Sequence, residues 1–162
     1  MSNEQYKQEF DFSFNAAITG AYFGRALGEA IHEGPIGNFF WQLLKSVHRA
    51  WDLRINDSKA IWFFQEVENQ CRYIEYYETS EEGLAHCAKD LSEKPCVNGE
   101  HLQSHHIMVR ELGSGRSRLE MLRELEIRCR VAPRILVQDR IEAARVILKT
   151  PVFALENCMQ GL

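Results

Sequence analysis

Three histidines, His101, His105 and His106, fall within six residues, with His86, Cys87 and Cys96 a short way upstream. Were 100–107 helical, His101 and His105 would share one face, as paired zinc ligands can. No Cys-x-x-Cys or His-Glu-x-x-His accompanies them, so exposed or partly buried histidines are the plainer reading. A Cys–His nucleophile pair has no further support in the sequence. Asp52 follows an apolar run, where aspartate commonly serves as a turn former. The other chemistry is cationic. Residues 110–149 hold ten basic and six acidic groups, net +4, and nine of the ten are arginines. Residues 1–109 hold nine basic and sixteen acidic groups, net −7. Arginine suits bidentate phosphate contact, so the segment reads either as a solvated, salt-bridged helical surface or as a phosphate-facing strip. No Gly-x-x-x-x-Gly-Lys-Ser/Thr phosphate loop occurs, and ATP is not an expected partner.

The elements that must position these groups follow from hydrophobic period. Residues 12–33 read as a helix with Ala16, Gly20, Gly24 and Gly28 on one face, suited to close packing against another element. Gly34-Pro35 breaks it, and 36–47 is apolar without a clean period. His48–Leu53, Lys59–Glu66 and Gln70–Glu78 are aromatic-rich runs that read as three antiparallel strands, with Glu68-Asn69 closing the second hairpin because Asn tolerates positive φ. Alternation along the third predicts Cys71, Tyr73, Glu75 and Tyr77 on one side and Arg72, Ile74, Tyr76 and Glu78 on the other. A helix capped by Thr79 or Ser80 follows, with Leu84, Cys87, Ala88 and Leu91 inward. Beyond it come a strand near His101–His106, a helix at 117–125 with Leu119, Leu122 and Leu125 inward, a strand at Ile127–Val131 and a helix at Gln138–Leu148. Meander strands followed by alternating α and β units predict an α/β three-layer domain.

The chain's 162 residues suit a single domain, and 45% apolar with 26% charged residues is an ordinary globular composition. A net charge of −4 excludes a generally basic nucleic-acid binder while leaving room for a local basic patch. Five widely spaced cysteines without a Cys-x-x-Cys pair argue against a disulfide framework and for a reducing cytoplasm. There is no run of 18 apolar residues and Met1–Asp11 is polar, so neither a membrane span nor a signal peptide is expected.

Several ordered blocks carry a family resemblance. Ala50-Trp-Asp-Leu-Arg-Ile-Asn-Asp-Ser-Lys-Ala-Ile resembles the first nuclease motif of tailed-phage terminase large subunits, Trp-Asp-Leu-Gly-x-x-Asp-Ser-Thr-Ala-Ile. Tyr73-Ile-Glu-Tyr-Tyr-Glu, with the Glu82-Gly-Leu helix start behind it, is similar to the next block. Val109-Arg-Glu-Leu-Gly-Ser-Gly-Arg-Ser-Arg and Asp139-Arg-Ile-Glu-Ala-Ala-Arg are similar to two more. Gln8-Glu-Phe and Ser13-Phe-Asn-Ala-Ala-Ile-Thr-Gly-Ala-Tyr-Phe resemble the segment leaving the motor's ATPase domain.

The resemblance spans about residues 5–162. It implies an RNase H-like nuclease of viral or prophage DNA packaging, acting in the host cytoplasm. The expected fold is a mixed sheet with its first three strands antiparallel and helices on both faces. A helical lead-in at 1–47 would precede the nuclease domain at 48–162, which would be C-terminally incomplete. Such enzymes hold Mg²⁺ or Mn²⁺ on clustered carboxylates and hydrolyse phosphodiesters. Asp52 matches the first catalytic acid and metal ligand, and Asp57 matches an accessory acid of the same motif. His106 stands where the family's Leu-Pro-His-Asp has its second acid, and an imidazole supplies no negative charge to a hard cation. Arg54 replaces the motif's glycine. The third acid would lie beyond Leu162, and Asp139 is not expected to replace it. Arg110, Arg116, Arg118 and Arg140 are the expected contacts to double-stranded DNA, with terminase or portal subunits as further partners. With that acid set, cleavage is expected to be weak or absent, and the alternative is a non-catalytic relic of the fold that binds DNA or a packaging partner.

Overall fold

The computed structural model describes residues 36–37, 41–53, 59–68, 70–80, 82–110, 114–147, 152–158 and 161. The expected helix at 12–33, Arg54 and Asp57 lie outside them.

Strand β2 (Val47–Leu53) alternates in burial: Val47, Arg49 and Trp51 point inward, while Asp52 is exposed at its end. β3 (Lys59–Val67) is apolar on both faces and almost wholly buried, as a central strand must be. It forms a hairpin with β4 (Gln70–Thr79). The positive φ at this turn belongs to Glu68, at 50°, a conformation that carries a steric cost without glycine. Helix α1 (Leu84–Glu93) leads to β5 (Asn98–Gln103), then a 3-10 turn at His105–Met108. Helix α2 (Arg118–Glu124), β6 (Cys129–Val131) and α3 (Val137–Ile147) follow. β1 (Ile36–Gly37), β7 (Val152–Ala154) and α4 (Leu155–Cys158) complete the described elements.

The sheet runs β1-β7-β4-β3-β2-β5-β6. β3 is antiparallel to both of its neighbours, β2 and β4, and β5 and β6 extend the sheet parallel to β2. On one face Val47, Trp51, Ile61 and Phe63 pack with Cys87 and Leu91 of α1, Leu119 and Leu122 of α2, and Ile107 and Ile127. On the other, His48, Trp62, Phe64, Tyr73 and Tyr76 form a connected set of ring contacts, with centroids 4.7 to 5.8 Å apart. The end of the chain lies on this face. A Cβ on Gly161 would meet the Trp62 and Tyr76 rings, and Asn157 donates to the Ile74 carbonyl at 3.3 Å. This is the expected RNase H-like arrangement, a mixed sheet with helices on both faces.

Four expectations change. Strict alternation along β4 fails, because Phe63 pairs with Glu75 and Phe64 with Tyr73, leaving Ile74 as an extra residue. That bulge resets the phase, so Tyr73 and Tyr76 both face the aromatic side. α1 begins at Leu84 with Gly83 as its N-cap and no side-chain cap, so Thr79 remains in β4. The fifth strand ends at Gln103, which leaves His105 and His106 in the 3-10 turn. Helix α2 is also more firmly begun than its apolar period implied. Ser117 accepts from the Glu120 amide at 3.2 Å while Glu120 accepts from the Ser117 amide at 2.7 Å, a complete capping box.

Two buried polar residues hold the connections. Arg49, fully buried, donates to the Val47 carbonyl, Cys96 Sγ and Asn98 Oδ1, and so fixes the chain where it enters β5. Burial lowers its pKa from the ordinary guanidinium value. Gln65 accepts from the Gln42 amide at 2.8 Å and donates to the Gln42 and Lys45 carbonyls at 2.9 Å, pinning the turn before β2.

Candidate functional site

β2, β5 and β6 are parallel, so their C-terminal ends share one edge of the sheet. In open α/β sheets ligands bind outside such ends. Asp52 stands there on β2, and Ser104, His105 and His106 follow β5. Beyond β6, the Ala132 amide donates to the Gln103 carbonyl at 2.7 Å, so the chain toward Arg134 runs beside the start of the 3-10 turn. Arg140 lies in the first turn of α3.

The sheet register fixes where the candidate donors stand. In the β2–β3–β4 register Asp52 lies opposite Ala60 and Ala60 opposite Glu78, so both carboxylates occupy one face and one edge. Two strand spacings put them about 10 Å apart. Glu78 is an acid that motif matching passed over. The alternation of Tyr-Ile-Glu-Tyr-Tyr-Glu with a small residue opposite was its only signal in the sequence. Its Oε2 accepts from the Tyr76 hydroxyl at 2.9 Å.

His106 is exposed, and its ring lies 4.0 Å from that of His105, at 37°. His105 is held below the ordinary imidazole value by partial desolvation and then by the nearby charges of His106, Arg134 and Arg140. His101 is held in its strand by Trp51. Its Nδ1 accepts from Trp51 Nε1 at 3.1 Å, and burial together with the Arg49 charge pushes its pKa down to about 4. With His101 in a strand and His105 in a 3-10 turn, the helical spacing that zinc pairing requires does not exist. Among the described residues no three His, Cys, Asp or Glu side chains converge to hold a metal ion. The described donors by themselves do not complete a two-metal carboxylate site, and Asp57 of the expected set lies outside them. Two of the thiols are poorly placed as nucleophiles: Cys87 is buried and its pKa raised, and Cys129 is pushed up to about 11, chiefly by desolvation.

The expected DNA-contacting arginines have different surroundings. Arg118, half-buried, donates from Nη1 to the Leu53 carbonyl at 3.0 Å, tying the start of α2 to the end of the strand that carries Asp52. Arg116 makes a two-oxygen contact with Glu124 at 2.8 and 3.1 Å. Arg110 lies 3.9 Å from Glu120 and donates to the Gly115 carbonyl at 3.4 Å. Arg140 is exposed. Much of the arginine-rich segment is thus a salt-bridged surface, while Arg123, Arg128, Arg134 and Arg140 are exposed with no ion pair among the described residues.

No family model matches the chain, and no curated protein matches it in sequence. Solved structures do. The large terminase of a thermophilic bacteriophage, in complex with ATP-gamma-S, superposes with a TM-score of 0.59 at 7% identity, covering 83% of this chain and 36% of that one. Another crystal form of the same terminase gives a TM-score of 0.55 at 10% identity, covering 77% of this chain and 32% of that one. The P22 large terminase nuclease domain gives 0.53 at 14% identity, covering 73% and 66%. The chain has the fold of a large-terminase nuclease domain. It spans about a third of the length of the thermophilic phage protein.

No helix among the described residues is long and apolar enough to cross a membrane.

Proposed function

We propose that this chain is a terminase-type nuclease domain of viral or prophage DNA packaging, working in the host cytoplasm, and that it engages double-stranded DNA across the edge formed by the ends of β2, β5 and β6. The observation that carries this reading is the placement of Asp52, His105, His106, Arg134 and Arg140 at one edge of a sheet with terminase nuclease topology. Parallel-strand ends with exposed cations suit a polyanion whose charges repeat along a line. Phosphodiester hydrolysis by this chain is expected to be slow or absent. The resemblance assigns Mg²⁺ or Mn²⁺ to Asp52, Asp57 and His106, but Asp52 is the one acid of that set within the described edge.

Supercoiled plasmid incubated with Mn²⁺ tests binding and cleavage together, using the chain and Asp52→Asn. We expect slow or no nicking and retained DNA binding in both proteins. Rapid cleavage abolished by Asp52→Asn would establish a working nuclease instead. Cleavage that survives Asp52→Asn would remove Asp52 from the chemistry, since a direct metal ligand cannot be lost cheaply. A DNA affinity that does not fall as salt rises would refute phosphate engagement. A portal or motor subunit is the alternative partner for the same surface.

A further inference from the structure

The arginine-rich segment sorts into paired and unpaired charges. Arg116 is matched by Glu124, Arg110 by Glu120, Arg130 by Glu100 and Arg145 by Glu142. Arg134 and Arg140 are exposed, and among the described residues neither side chain makes a hydrogen bond or ion pair. The charges of these two act on His105, whose ring lies 4.0 Å from that of His106. Their placement is fixed by backbone: the Ala132–Gln103 hydrogen bond sets the chain leading to Arg134 beside the chain leading to His105, and the first turn of α3 delivers Arg140. The acids at or near this edge are Asp52 on β2, Glu78 on β4 and Asp139 in the same turn of α3, beside the two guanidinium groups and the two imidazoles.

Resting on the reading above, we infer that His105, His106, Arg134 and Arg140 form a phosphodiester seat that takes nucleic-acid phosphates directly, without a divalent ion between protein and DNA. The physical reason is the donor set. A carboxylate-lined edge repels phosphate and must recruit cations to bind it, whereas guanidinium forks and imidazole N–H groups donate to phosphate oxygens directly. The replacement of an acid by His106 is then a change in how phosphate is held rather than a loss of function.

The test is binding of a labelled DNA duplex to the full chain in EDTA, titrated with salt and repeated with Mg²⁺. Arg134→Ala/Arg140→Ala is compared with Arg134→Lys/Arg140→Lys and with Arg128→Ala, a charge loss just before β6 and so toward the opposite edge. We expect binding in EDTA. The double alanine variant should lose affinity by about ten-fold or more and lower the salt slope by about 2, roughly 0.9 per phosphate contact. The double lysine variant should retain most of the affinity, and Arg128→Ala should change it little. Binding by the wild type only when Mg²⁺ is present would overturn the inference and leave the DNA-engaging reading intact. Unchanged binding by the double alanine variant, or an equal loss in Arg128→Ala, would overturn the inference in the same way. Absence of binding under every condition would overturn the reading itself.

Discussion

Acid should destabilise this domain through His101. Its ring is packed beside Trp51, with centroids 5.9 Å apart, and its Nδ1 is the acceptor for the indole N–H. A proton on Nδ1 would remove that acceptor and place a cation near the buried Arg49. The folded-state pKa is accordingly lowered from 6.5 to about 4, first by desolvation and then by Arg49. In the unfolded chain His101 takes up its proton near pH 6.5. Between those values the unfolded state binds more protons, so stability is complete above about pH 6.5 and declines as the pH falls toward 4. With no screening the displacement corresponds to about 3 kcal/mol. The ring keeps part of its contact with water, which reduces the figure to about 1–2 kcal/mol. Urea unfolding of the chain and of His101→Gln between pH 4 and 7.5 isolates this contribution, because the other titrating groups are common to both. Glutamine can still accept from the indole but does not titrate. The variant should therefore show a shallower loss of stability over this window. Parallel pH profiles would refute the account, and a variant that is steeper would reverse its sign.

Leu122 is completely buried between α2 and the sheet, and Leu122→Ala should cost about 3 kcal/mol in denaturant unfolding by cavity formation. Ser117→Ala removes one arm of the α2 capping box and should cost about 1 kcal/mol, visible as a lowered thermal midpoint. Gln65→Leu strands the Gln42 amide and the Gln42 and Lys45 carbonyls, and we expect a loss of about 1–3 kcal/mol with faster amide exchange in the turn before β2.

Local pattern was enough to read most of the framework. The aromatic runs at 48–53, 59–66 and 70–78, the apolar faces of α1 and α2, and the breaks between them depend on nearest-neighbour period, which survives without knowledge of partners. Asp52 was placed at the end of its strand for the same reason, and the ordered motif blocks pointed to the terminase topology that the structure shows. Ser117-Arg-Leu-Glu120 carried the capping box openly, though apolar spacing alone did not use it.

What the chain's order could not reveal is set by groups far apart in it. The Ile74 bulge belongs to the pairing of β4 with β3, and it puts Tyr76 on the same side as Tyr73. Arg49 is polar yet wholly buried, because its acceptors Cys96 and Asn98 arrive from 47 and 49 residues away. The same distance from local information governs the charges. Arg116 and Arg140 are alike in a linear reading, but Glu124 pairs with one, while the chain beyond β6 brings the other near a pair of histidines, with no ion pair to it among the described residues. Periodicity reports which face of an element is apolar. Which arginine is left to meet a phosphate depends on where the carboxylates come to rest, and only the packed sheet decides that.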